Sequence, residues 1–173
     1  MILKLAGSCC VLAACIGFVR EILHTEELHR KILQSMIELT ELLASEIRYE
    51  RLPMQDALLR VREKVRPEIA DVLLQIVHKM QEGTGTEFSK IWEQTFRTAQ
   101  KELFLSAGEL EEVCHIGKQL GFLDQVQQEQ YLKGCTERLR RLQIQAQKAM
   151  DEKKRVYRYL GVAAGIFVIL ILV

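Results

Sequence analysis

Helix breakers are scarce in this chain: its 173 residues include only two prolines and ten glycines. Apolar residues recur at spacings of three and four in nearly every segment, so strands are excluded as the main element and an all-helical fold is expected. Charge of one sign is missing too. Lys and Arg number 24 against 23 Asp and Glu, a formal net charge of +1. That is a poor basis for nucleic-acid binding, which rests on phosphate neutralisation. Zinc-type cysteine spacing is absent. Of five cysteines, Cys9, Cys10 and Cys15 fall in an apolar run, and Cys114 and Cys135 are lone thiols at apolar helical positions. Two such thiols suit a reducing compartment.

Catalytic signatures are lacking as well. Gly83, Thr84 and Gly85 have neither the lysine nor the strand of a phosphate loop and read as a turn. His24, His29, His78 and His115 never fall one turn from a matching ligand, so no metal site is expected and they read as partly exposed helix-surface residues. Serines 8, 35, 45, 89 and 106 lack a G-x-S-x-G elbow. Glu38, Glu46 and Glu50 describe a solvated face or contact surface sooner than an acid/base set. Trp92 with Phe88 and Phe96, four residues apart, is a core stripe sooner than an aromatic cage. The expectation is a protein that is not an enzyme, with no cofactor and no small-molecule substrate.

What the chain does have is two uncharged runs, Leu5 to Val19 and Leu160 to Val173, on either side of a charged middle. A spanning helix needs roughly 20 apolar residues. Each run is short alone, but Lys4 can snorkel below the first, and Tyr157, Arg158 and Tyr159 can sit at the interface before the second. The expected division is a transmembrane helix at 1–19, a helical bundle at 20–158 and a transmembrane helix at 159–173. Arg20, Arg30, Lys31, Lys153, Lys154, Arg155 and Arg158 flank the runs on the bundle side against Lys4 alone on the other, which places the bundle in the cytoplasm. A competing reading comes from Leu12-Ala13-Ala14-Cys15, the pattern at which bacterial lipoprotein signals are cut and lipidated. It would put the domain outside, as an interaction or signalling subunit. Against it, the apolar run continues to Val19 and the positive flank lies on the wrong side.

Six helices are expected in the middle. The first runs from Arg20 to Arg51 with Leu28, Ile32, Met36, Leu39, Leu43 and Ile47 on one stripe; Pro53 ends it and opens the second, which stops near Val65. A third covers Pro67 to Glu82. A fourth covers Thr86 to Phe104. Ser106 and Glu109 form a capping box for the fifth, with Leu110, Val113, Gly117 and Leu120 inward and Gly121 as its C-terminal cap. Asp124 caps the sixth, whose seam is Leu132, Cys135, Leu139, Leu142, Ala146 and Ala149, and which continues into the second run without a break. Short connections imply antiparallel packing.

Three sets of residues stand out as candidate contacts. Antiparallel packing would bring Glu46, Tyr49, Glu50, Pro53 and Asp124 to one crowded helix junction, a partner surface unless Tyr49 and Glu46 merely tie the helix ends together. Lys148, Lys153, Lys154, Arg155 and Arg158 crowd the base of the sixth helix and would face an anionic membrane surface, or only set topology. Ala6, Cys10 and Ala14, with Gly161 and Gly165, place small residues every fourth position, the spacing that lets helices pack closely in lipid. That pairing is either internal or with another membrane subunit.

The chain also resembles a known family. The segment L-x-x-E-I-R-Y-E-R-L-P-M-Q-D-A-L (Leu43 to Leu58), Trp92, I-G-K-Q-L-G-F-L-D-Q (Ile116 to Gln125) and R-x-Y-R-Y-L-G (Arg155 to Gly161) are similar to stage III sporulation protein AB of endospore-forming bacteria. Ile116 departs from the aromatic residue expected there. The resemblance implies a mother-cell membrane component of the secretion-like channel between mother cell and forespore. It further implies a cytosolic six-helix bundle like the F component of type II secretion machines, with a separate cytosolic ATPase as motor and other membrane subunits as partners.

Overall fold

The computed structural model describes the backbone of residues 2–50, 52–83, 85–120 and 125–172. Side chains are described from 24 to 156, apart from 49–51, 84, 119 and 121–126, and at 17, 20, 159–161 and 163. Among the described residues there are six helices and no strand: α1 (Ile2–Glu50), α2 (Met54–Arg62), α3 (Pro67–Gln81), α4 (Phe88–Ala99), α5 (Ala107–Leu120) and α6 (Gln125–Leu172). The all-α expectation holds. The chain divides into two units, His29–Ile144 and a second made of Met1–Leu28 with Gln145–Val173.

Within the larger unit α2 packs on α3, α3 on α4 and α4 on α5. All six helices contribute to one apolar cluster that includes Leu33, Met36 and Leu43 of α1, Leu58 of α2, Leu73 of α3, Trp92 and Phe96 of α4, Val113 of α5 and Leu139 of α6. α1 buries more than the single expected stripe. Leu33, Ser35, Ile37 and Thr40 are buried beside Ile32, Met36, Leu39 and Leu43. Thr40 satisfies its hydroxyl by donating to the Met36 carbonyl at 2.8 Å, which removes most of the cost of burying it.

The helix ends follow local chemistry. Pro67 occupies the first turn of α3, where its missing N–H is an orphan anyway. Gly83 (φ 63°) and Gly85 (φ 69°) take the left-handed conformation after α3, the use for which a turn selects glycine; Thr84 between them lies outside the described residues. In the capping box of α5 the Ser106 amide donates to Glu109 Oε2 at 2.8 Å, and the Glu109 amide donates to Ser106 Oγ at 3.4 Å.

Two boundaries differ from expectation by more than three residues. α1 does not begin at Arg20 but runs unbroken from Ile2, because nothing near Arg20 interrupts the hydrogen-bond ladder. α4 ends at Ala99, five residues short of Phe104. Turns continue past it, with Leu103 N–H donating to the Ala99 carbonyl at 2.9 Å, and the chain closes in a Schellman turn at Phe104: Phe104 N–H donates to the Lys101 carbonyl at 3.2 Å and Leu105 N–H to the Gln100 carbonyl at 3.1 Å. Phe104 takes φ 52° at the position glycine usually fills,. An aromatic there carries no sequence signal for a stop.

The apolar runs at 5–19 and 160–173 are helical in α1 and α6. Most of their side chains lie outside the described residues, and among the described residues no helix is long and apolar enough to cross a membrane.

Candidate interaction surface

The helix junction after α1 is organised by Glu46. Its side chain is 8% exposed, and its carboxylate accepts from Lys64 Nζ at 3.2 Å and lies 3.7 Å from Arg60 Nη1. Both cations are half exposed, so Glu46 clamps the end of α1 to α2 and the loop behind it. Pro53 is exposed and stands at the N-cap of α2, where its carbonyl accepts from the Ala57 amide at 3.1 Å. Tyr49 and Glu50 sit in the last turn of α1 with side chains outside the described residues, and Asp124 lies outside them altogether.

One helical turn from Glu46, α1 and α6 face each other across an open groove of about 420 Å³. Ala44, Ser45 and Thr136 form its low floor, and Glu41, Arg48, Glu129, Lys133, Glu137 and Arg140 form its rim. Long side chains bridge it: Arg48 donates to Glu129 at 3.0 Å and Arg140 reaches Glu41, and farther along the same two helices Gln143 donates to Gln34 at 2.8 Å. The Lys133 ammonium, 2.7 Å from Glu129, together with Arg48, holds the Glu129 carboxyl below its ordinary range. Three carboxylates and three cations leave the rim neutral, so this surface can favour a partner by matched pairs but not by net attraction.

Two further ties fix α5. Glu109 of the capping box is 3% exposed, and His29 Nε2 lies 2.8 Å from its Oε2. Burial opposes ionisation of Glu109, but hydrogen bonds from His29 and from the amide and hydroxyl of Ser106 outweigh it and hold the carboxyl below its ordinary value. His29 is therefore more than the partly exposed surface residue expected from spacing. Its partner is 80 residues away in sequence, beyond any local signal. On the other side, Arg138 donates to Glu112 at 2.6 Å and to Cys135 Sγ at 3.0 Å, and its guanidinium lies 5.8 Å from the Tyr131 ring centroid. Tyr131 donates to the His115 carbonyl at 3.0 Å, and burial pushes its phenol up to about 12. Burial likewise raises the thiols of Cys114 and Cys135, which makes them inert rather than nucleophilic.

The aromatic stripe is core. Trp92 is fully buried between Phe88 and Phe96, with ring centroids at 5.7 and 4.7 Å, and its Nε1 donates to the Val113 carbonyl at 2.7 Å. Gly117 is the surface on which the indole rests. A Cβ built there would lie 2.7 Å from Trp92 Cβ and closer still to Cγ and Cδ1. Spacing alone put Gly117 on the inner face of α5 without showing why glycine is needed.

In the smaller unit Lys148, Lys154 and Arg155 are exposed, while Lys153 donates to Glu26 at 2.6 Å. The Arg158 side chain lies outside the described residues. So do those of Ala6, Cys10 and Ala14, and Gly165; Gly161 is exposed, and a Cβ built there would meet nothing within 4 Å among the described residues. Among the described residues no group of three or more His, Cys, Asp or Glu could hold a metal ion.

The family model for stage III sporulation protein AB matches residues 4–173. Stage III sporulation protein AB of Bacillus subtilis (strain 168) is 26% identical over 172 residues, covering 98% of this chain and 99% of the relative. A solved structure of stage III sporulation protein AB is similar with a TM-score of 0.65 at 18% identity, covering 72% of this chain and 98% of its own. The structural likeness speaks to the fold. The family model extends further, through both apolar runs and every helix between them, and on that match the chain belongs to the stage III sporulation protein AB family.

Proposed function

We propose that this chain is a non-enzymatic, membrane-anchored assembly subunit of the channel that joins mother cell and forespore during endospore formation. Its role is to couple a cytosolic ATPase to the channel's membrane subunits. The observation that carries this reading is the pair of helices α1 and α6, 49 and 48 residues long, each of which joins an uncharged run to a segment of the packed bundle without a break. In this reading the runs at 5–19 and 160–173 span the mother-cell membrane, the bundle lies in the cytoplasm, and small residues such as Gly161 and Gly165 are offered to neighbouring subunits. The unbroken helix through Cys15 favours a retained span over cleavage and lipidation at Leu12–Cys15. Fatty-acid labelling of the parent that disappears in Cys15→Ser would overturn that choice.

The partner surface of this proposal is the exposed ground around Pro53, next to the Glu46 clamp; the sequence adds Tyr49, Glu50 and Asp124 to it, whose side chains lie outside the described residues. The test is crosslinking in sporulating cells, comparing the parent with a Glu50→Lys/Asp124→Lys variant. Capture of the ATPase should fall while helical content and melting stay at parental values. Unchanged capture would remove the surface, and loss of the fold would assign those residues to the bundle's own packing.

A further inference from the structure

The base of α6 is ordered in layers. Moving toward the apolar run, the exposed acids Asp151 and Glu152 come first, then the exposed cations Lys154 and Arg155, then Val156, Tyr159 and Leu160. These last three are 56%, 67% and 65% exposed. Large apolar groups so open to solvent, in consecutive turns of a helix, need something to cover them. Cations followed within about two turns by a tyrosine and a leucine are what a helix presents on passing from water through headgroups toward acyl chains. From Lys154 to Leu160 the axial rise is about 9 Å, which long cationic side chains can bridge.

The five basic residues at this end are not equivalent. Lys153 is engaged by Glu26 at 2.6 Å, so that pair presents no net charge. Among the cations whose side chains are described, Lys154 and Arg155 stand beyond the two acids and nearest the exposed apolar residues.

We propose that Lys154, Arg155 and Tyr159 form an interfacial site selective for anionic phospholipid, with Val156 at the same level and Leu160 leading into the acyl region. This rests on the membrane-anchored reading above and adds the lipid class and the residues that read it. The headgroup phosphate is the recognised group. A cation near an anionic leaflet is worth enough for roughly fivefold local enrichment of the anionic lipid, and the effect weakens as salt rises.

The full-length chain carrying Tyr159→Trp, reconstituted in vesicles of phosphatidylcholine with a fixed fraction of phosphatidylglycerol, provides the test. The parent chain, whose single tryptophan Trp92 is fully buried, sets the fluorescence baseline. Brominated acyl chains are placed on one lipid or the other. The proposal requires quenching of Trp at 159 to favour brominated phosphatidylglycerol by roughly fivefold per mole of lipid. The preference should vanish in Lys154→Gln/Arg155→Gln and survive in Glu26→Gln/Lys153→Gln, which removes a pair without changing net charge. Equal quenching by the two lipids overturns lipid selectivity and leaves the anchoring intact. A preference that survives Lys154→Gln/Arg155→Gln overturns the residue assignment, and no quenching by either lipid overturns the anchoring as well.

Discussion

Replacing Gly117 with alanine should destabilise the bundle, although helix propensity alone argues the reverse. Alanine in a helix interior is favoured over glycine by about 1 kcal/mol. Here the added methyl would meet Trp92, with a 2.7 Å approach to its Cβ, well inside contact distance. The indole cannot yield freely. Phe88 and Phe96 hold its two sides, its surroundings are fully buried, and its Nε1 is fastened to the Val113 carbonyl at 2.7 Å. Overpacking of this kind costs about 1–3 kcal/mol, and stretching or losing the buried hydrogen bond costs about 1 kcal/mol. After the propensity gain, the net loss is about 2 kcal/mol, a fall in Tm of roughly 4–8 °C for a chain of this size. Far-ultraviolet circular dichroism gives the melting curve, and emission of the only tryptophan reports its surroundings directly. Gly134→Ala in α6 is the control. Among the described residues a Cβ there meets only Arg138 Nη1, at 3.5 Å, an ordinary contact distance, so the propensity term should act alone and raise Tm. Adding Trp92→Phe to Gly117→Ala should cost less than the two single changes together, because the ring in the way is smaller. A Gly117→Ala chain that melts at or above the parental temperature would refute the close approach on which this reasoning depends.

Glu109 should leave a signature in the acid limb of stability. Its carboxyl is held below the ordinary value of 4.5, so the stability it adds is fully present above that value and is lost as pH falls through the lowered one. Glu109→Gln should therefore lower stability by about 1 kcal/mol near neutral pH, as removal of a capping interaction does. It should also flatten the denaturation midpoint against pH below about 4.5; a parental slope in that range would show that the group does not titrate as described. For the Glu46 clamp, Glu46→Ala should cost about 1 kcal/mol, since both cations are half exposed and solvent screens the pairs. Glu46→Lys, which sets three cations together at a buried position, should cost more. Urea denaturation ranks the two, and equal midpoints would mean that the clamp is not electrostatic.

The helical period, two prolines and a serine three residues before a glutamate are enough by themselves to specify an all-α fold, the six helices, the starts just after Pro53 and at Pro67, the capping box and the inward stripe around Trp92. These are local rules, in which a residue and its neighbours within one turn decide the outcome. The left-handed glycines at 83 and 85 are legible for the same reason, and the Schellman turn after α4 is not, because Phe104 adopts a glycine-like conformation without a glycine. What only the tertiary structure decided is which side chains meet across the fold. His29 finds Glu109 and Lys153 finds Glu26, at sequence separations of 80 and 127 residues, and no periodicity encodes such pairs. The demand for glycine at 117 exists only because α4 presents an indole there. The Glu46 clamp and the groove between α1 and α6 likewise arise from how whole helices approach one another, which depends on the shape of the entire core and not on any one segment's pattern.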